Sequence, residues 1–323
     1  MVTVSVSVFV PAVAGIARWR LMLGVVYLGH VADHIPLGGI WPPHGSVTLF
    51  PMSHPLSTPL GRFGIVTSQD GPDGCVASIP AGEMVNPLTG SLTIAPPAML
   101  VDHVGGLVNH HRRGDGEWTV SSELSFEVRP DAVDVIGQAP DEPVAATSRP
   151  FGAKSNVALG LCELTHRGTT LATATVRSFY ISVPGHLTDF PFDGSTGPLP
   201  PGSLSERMAV RVAECGGGAK ALQQLPDPVL NNSLGIVHGG VSAMALELVA
   251  SAAVNAGRDE QALRTASLRV NFIRQFVSTR QGCPESRYVG TALRVGRRSG
   301  IGEAQAIGPD GQVAIVARLT AYA

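Results

Sequence analysis

Asn232-Asn-Ser-Leu-Gly235-Ile-Val-His238-Gly239-Gly240 stands directly before a long apolar stretch. Consecutive glycines at a helix start let a substrate approach the unpaired backbone N–H groups there. Those donors, with the positive end of the helix, suit an oxyanion that develops on a carbonyl. Nine residues after His238 comes Glu247, between Leu246 and Leu248. A carboxylate in so apolar a stretch needs a reason. Burial would raise its pKa and fit it for general-base or nucleophilic work. Read on their own, the same residues also fit a plain turn at Gly239-Gly240 and a solvated Glu247.

The elements that must position these groups are legible in the patterning. Val241, Met244, Ala245, Leu248, Val249 and Ala252 recur at helical spacing and predict a helix over about 238–256. Leu268-Arg-Val-Asn-Phe and parts of 286–295, 301–307 and 312–322 alternate as strands do, with Gly308-Pro-Asp-Gly311 as a hairpin turn. Sliding the chain on itself by 145 residues places Gly235 on Gly90, Met244 on Met99, Glu247 on Asp102 and Arg294 on Arg149. The first copy then has a helix over about 96–111. Its strands are Leu124-Ser-Phe-Glu-Val, 155–164 and 170–182, with a turn at His166-Arg-Gly168. One central helix followed by several antiparallel strands is an α+β unit whose sheet wraps the helix. The expected organisation is a proline-rich irregular region (1–61), a first unit (62–183), a Pro/Gly linker (184–203) and a second unit (204–323).

Composition narrows the function classes. The chain of 323 residues is 44% hydrophobic and 15% charged, which suits packed domains and not a disordered protein. With 23 basic and 25 acidic residues, net charge −2, no cationic surface is available to coat nucleic acid. Cys75, Cys162, Cys215 and Cys283 show no C-x-x-C pair and no zinc spacing with histidine. A reducing cytoplasm is therefore the expected location. No apolar run reaches the roughly 18–20 residues of a membrane helix. Met1 to Ile16 is apolar, but Arg18 and Arg20 follow the run, where a signal peptide has its positive charge in front.

The pattern Asn232-x₂-Gly235-x₂-His238-Gly-Gly-x₆-Glu247 resembles the signature of hot-dog-fold acyl-CoA thioesterases of the PaaI type. Thr265-Ala-Ser-Leu-Arg-Val-Asn-Phe-Ile-Arg274, Gly296-Arg297 and Gly308-Pro-Asp-Gly-Gln-Val-Ala314 resemble the family's later strands and hairpin. The resemblance covers about 204–323 and extends through the repeat to 62–183, where Thr93-Ile94-Ala95 replaces His-Gly-Gly and Asn86 is one place out of register. It implies a double hot-dog that imitates the family's homodimer, with acyl-CoA as substrate and no metal or redox cofactor beyond the substrate's coenzyme A.

Family sites lie between units, so the resemblance implies two unequal composites. One joins Asn232, His238, Gly239 and Gly240 to Asp102; the other joins Glu247 to Thr93-Ile94-Ala95. A site within one unit would instead use Glu247. Thr265 matches a position that often carries a helpful hydroxyl; its counterpart near Val120 is apolar, with Ser121 and Ser122 adjoining. Arg294, Arg297 and Arg298 have the forked geometry to meet coenzyme A phosphates, or form a solvated strand end. The pseudo-dimer is expected to be able to pair again as a homodimer, without nucleic-acid or membrane partners.

Other groups carry less. His30-Val-Ala-Asp33-His34 has helical ligand spacing, and His103, His110 and His111 follow Asp102 along the first helix. No G-x-S-x-G elbow, phosphate loop or dinucleotide fingerprint is present. Two rivals stay open: a hot-dog hydratase or dehydratase, which lacks its His-Pro-x-His pattern here, and a non-catalytic acyl-CoA-binding scaffold.

Overall fold

The chain passes twice through the same series of elements. In the first half, β1 (Met52–Ser53) and the short helix α1 (Pro59–Arg62) lead into β2 (Val66–Gln69) and β3 (Cys75–Ile79). Helix α2 (Ala95–His110) follows, then β4 (Glu117–Val128), the short helix α3 (Ala132–Gly137), β5 (Val144–Phe151), β6 (Val157–His166) and β7 (Thr169–Ser182). The second half begins with α4 (Leu204–Arg207), β8 (Val210–Ala213) and β9 (Lys220–Gln224). It continues through α5 (Gly239–Val254), β10 (Arg264–Phe272), β11 (Arg287–Val295), β12 (Ser299–Ile307) and β13 (Val313–Tyr322). Among the described residues, only β1 and α3 lack a counterpart there.

This computed structural model describes residues 51–323, apart from 83, 186, 188–195, 217, 259–261 and 279–283. His30, Asp33, His34 and Cys283 lie outside the described residues, as does part of the predicted linker 184–203.

Helices α2 and α5 are apolar on nearly every side, and fourteen of the sixteen residues in each are buried. That pattern belongs to a helix enclosed by protein. Pro96 and Pro97 are tolerated in α2 because its first turn has no intrahelical acceptor for their missing N–H groups. Around the helices runs a single antiparallel sheet in the order β1-β2-β3-β5-β6-β7-β4-β10-β13-β12-β11-β9-β8. Its two halves meet where β4 pairs with β10, with Ser125 opposite Arg269. Arg269 donates to Ser125 Oγ at 3.0 Å and pairs with Glu127. Arg62 of α1 pairs with Asp227, a second tie across the halves.

Strand residues alternate between the helix side and the outside, as in β6 and β12. Contact with the helices is closest at glycines. A Cβ on Gly290 would lie 2.2 Å from the Val249 carbonyl oxygen, and one on Gly160 2.8 Å from that of Gly105. The β6–β7 turn uses Arg167 and Gly168 at φ 49° and 76°, the doubly left-handed geometry that matches strand twist. The helices begin and end within two residues of their expected bounds. Among the described residues no helix is long and apolar enough to cross a membrane.

Gly290→Ala tests the glycine contact, because the opposing atoms are backbone and cannot rotate away. We expect a loss of about 3 kcal/mol, the upper range for overpacking, and a urea midpoint lower by about 1 M. An unchanged midpoint would contradict the packing described.

Candidate active site at the helix crossing

The loop before α5 is shaped by its own side chains. Asn232 Oδ1 accepts the Leu234 and Ile236 N–H groups at 2.9 and 3.4 Å, and Gly235 takes φ 71°. The Val237 N–H donates to the Phe276 carbonyl at 3.0 Å, and that of His238 to the Leu230 carbonyl at 2.9 Å. These bonds deliver His238 to the N-cap of α5, where its Nδ1 accepts the Gly240 N–H at 3.1 Å.

Asp102, from the middle of α2, reaches this same point. Its Oδ2 lies 3.4 Å from His238 Nδ1, and its Oδ1 accepts the Ser121 hydroxyl at 3.0 Å. It can come so close because Gly239 has no side chain: a Cβ there would sit 3.0 Å from Oδ2 and 3.4 Å from a ring carbon of Phe272. Gly240 is equally constrained, with the Cα of Met99 only 2.9 Å from where its Cβ would be. Asp102, with 7% of its surface exposed, is buried; the loop residues 231–236 are half-buried.

An Nδ1 that accepts the Gly240 N–H carries no proton, which assigns the imidazole proton to Nε2. Burial lowers the His238 pKa below 6.5, and the charge of Asp102 opposes that shift. The neutral imidazole therefore leaves Asp102 Oδ2 as a carboxylate oxygen held by no hydroxyl, facing the backbone of Gly239.

Glu247 has different surroundings. Its Oε2 accepts the Thr93 hydroxyl at 3.0 Å and its Oε1 the Thr265 hydroxyl at 2.6 Å. It is 1% exposed; burial raises its pKa, and hydrogen bonds from Thr265, Thr93 and Ser251 work against that rise. The structure thus pairs Asp102 with the His238-Gly239-Gly240 turn and Glu247 with Thr93, both across the halves.

The remaining candidates are scattered. Arg294, Arg297 and Arg298 belong to the exposed β11–β12 hairpin. Arg258, just beyond α5, donates to the Gly296 and Arg297 carbonyls there, so the hairpin sits at the far end of α5 from Gly239. That separation is about 22 Å along a sixteen-residue helix. His103 contacts the Thr67 hydroxyl at 3.0 Å, which also meets His54 at 2.9 Å. Burial pushes His110 down to about 3.

His111 pairs with Asp70 beside Cys75, and these three put an imidazole nitrogen, a carboxylate oxygen and a thiol within 4.8 Å of one another. Burial pushes the Cys75 thiol up to about 12, well away from the thiolate a metal would bind. Sequence reasoning did not single out Ser121 as the partner of Asp102. The sequence signal that would have found it is a repeat offset of 144 after the helix, which sets Ser121 where Thr265 stands.

The sequence model of the Thioesterase superfamily matches residues 234–315, from the Asn232 loop into β13. No curated protein matches the chain by sequence. Among solved structures, the chain is similar to a tesB protein of Mycobacterium avium subspecies paratuberculosis. There the TM-score is 0.52 at 11% identity, over 79% of this chain and 95% of that one. It is also similar to an acyl-CoA thioesterase II, TesB2, from Mycobacterium marinum, with TM-score 0.51 at 10% identity, over 79% and 94%. At such identities the likeness shows the fold, a hot-dog fold.

The site makes a titration prediction with a definite sign. Because the folded value of His238 lies below 6.5, the unfolded chain takes up its proton first, and this residue's contribution to stability is lost as pH falls below 6.5. Asp102→Asn removes the one charge that raises the value, so the imidazole of the variant should titrate at still lower pH. NMR of the ring nitrogens reads both; a His238 that titrates higher in Asp102→Asn would refute the assignment.

Proposed function

We propose that this chain is a double hot-dog that hydrolyses acyl-CoA thioesters, of the PaaI kind in its site, and works without a metal or redox cofactor. The single observation that carries this reading is the meeting of Asp102 and Ser121 from the first half with the α5 start from the second. It supplies an oxyanion donor and a carboxylate at one point, as the thioester reaction needs. The family match at 234–315 and the fold shared with the acyl-CoA thioesterase II of Mycobacterium marinum support the same substrate class.

The geometry divides the work. The Gly240 N–H is engaged by His238 and that of Ser242 by the His238 carbonyl, so the Gly239 N–H, among those left in the first turn of α5, is assigned to the substrate carbonyl. Negative charge developing on that oxygen is favoured there by the helix N-terminus. Ser121 occupies Asp102 Oδ1 and leaves Oδ2 to take a proton from the attacking water. Water forms the new C–O bond, the C–S bond breaks, and the proton on Asp102 passes to the departing thiolate. The amide nitrogen of Asn232, whose oxygen is spent on the loop, is placed as a donor to water or carbonyl. Arginines 294, 297 and 298 would meet a phosphate only if coenzyme A extends along α5 to its far end.

Free-thiol release from short, long, branched and aryl acyl-CoA thioesters tests this reading. Asp102→Asn should lower kcat/KM by about 10²–10⁴, the range for a lost general base. A wild-type enzyme that binds acyl-CoA and releases no thiol would replace this reading with the binding scaffold.

A further inference from the structure

The two composite positions share one hydrogen-bond plan. At one, His238 Nδ1 accepts the Gly240 N–H at 3.1 Å and touches Asp102, whose other oxygen accepts Ser121. At the other, Thr93 Oγ1 accepts the Ala95 N–H at 3.1 Å and donates to Glu247, whose other oxygen accepts Thr265. Thr93 therefore stands where His238 does, Ala95 where Gly240 does, and Ile94 where Gly239 does.

The third correspondence changes the chemistry. A Cβ at Gly239 would press on the carboxylate at 3.0 Å, so the close approach of Asp102 to the turn depends on the missing side chain. Ile94 carries a full branched side chain at the equivalent place and is 2% exposed, inside the core. The rest of this copy is closed as well. Thr93, Thr265 and Glu247 are buried, and Asn86, 3% exposed, donates to the Leu248 carbonyl and toward Ser251 of α5. Both oxygens of Glu247 are taken by hydroxyls, where Asp102 has one.

We infer that the Glu247 position is a sealed copy of the active site, filled by Ile94 and clasped by Thr93, Thr265 and Asn86, so that each chain binds one acyl-CoA. This inference rests on the proposed thioesterase reading. In place of catalysis, the sealed copy ties α2 to α5: Thr93 and Asn86 of the first half grip Glu247 and Leu248 of the second.

Isothermal titration with a non-hydrolysable acyl-CoA thioether, on the full chain, measures the stoichiometry. The expected values are one ligand per wild-type chain and two per folded Ile94→Gly chain, in which the plug is gone. Two ligands on the wild type would overturn the sealed copy and leave the thioesterase reading standing. A folded Ile94→Gly chain that still binds one would remove Ile94 as the plug and overturn the inference. If that variant does not fold, the wild-type stoichiometry decides. No binding by either protein would overturn the thioesterase reading, and this inference with it.

Discussion

At the start of α5 the backbone lies so near α2 that Gly240 has no room for a methyl group, and one on Gly239 would press on Asp102. A polar group on α2 at the level of Gly239 is thereby forced against the helix N-terminus of the other half. Asp102 is that group. The approach excludes bulk water from one side of the carboxylate, and it draws His238 into a cap that uses up one of the free N–H groups. Which amide stays available, which carboxylate oxygen stays unbound and which imidazole nitrogen lacks a proton all follow from this crossing.

The sheet maintains the crossing. Each helix lies against a trough of strands, and Gly160 and Gly290 bring the strands onto helix backbone. The β4–β10 pairing fixes the translation of one trough relative to the other, through five paired positions from Glu123–Asn271 to Glu127–Ser267. A one-residue slip there would turn the inner residues of a strand outward, since side chains alternate. Ser121 lies just beyond that pairing in β4, so the register that joins the halves also sets its distance to Asp102.

Much of this was readable from residue spacing. Both central helices, the longer strands and the 145-residue offset were visible because apolar periodicity is strong in long elements. β5, eight residues that include Pro150, was not, and neither were β2, β3, β8 and β9, being four or five residues long and interrupted by turns. For the site, the His238-Gly239-Gly240 turn and both carboxylates were legible as residue types. Their pairing came only through the family resemblance and not from spacing, because Asp102 and Gly239 are distant in sequence and the helix crossing brings them together. The rank of the hydroxyl partners was hidden for a local reason: the 145-residue offset sets Thr265 against Val120, and only an offset of 144 after the helix brings Ser121 there. The arginine cluster shows the opposite limit, where the sequence brings Arg294, Arg297 and Arg298 together but does not say how far their hairpin lies from the Gly239 turn.

The strand order has a consequence for how copies of this molecule can meet. Among the described residues, a sheet of thirteen strands ends in β1, two residues long, and β8, four residues long. Open edges are where sheets of different molecules add strands to one another, and edges this short offer few unpaired backbone groups for it. Self-association of the hot-dog body is thus directed away from fibre-like growth. On the broad outer surface of the sheet, Arg177 pairs with Glu123 and Arg269 with Glu127, so these charges are already matched within one molecule.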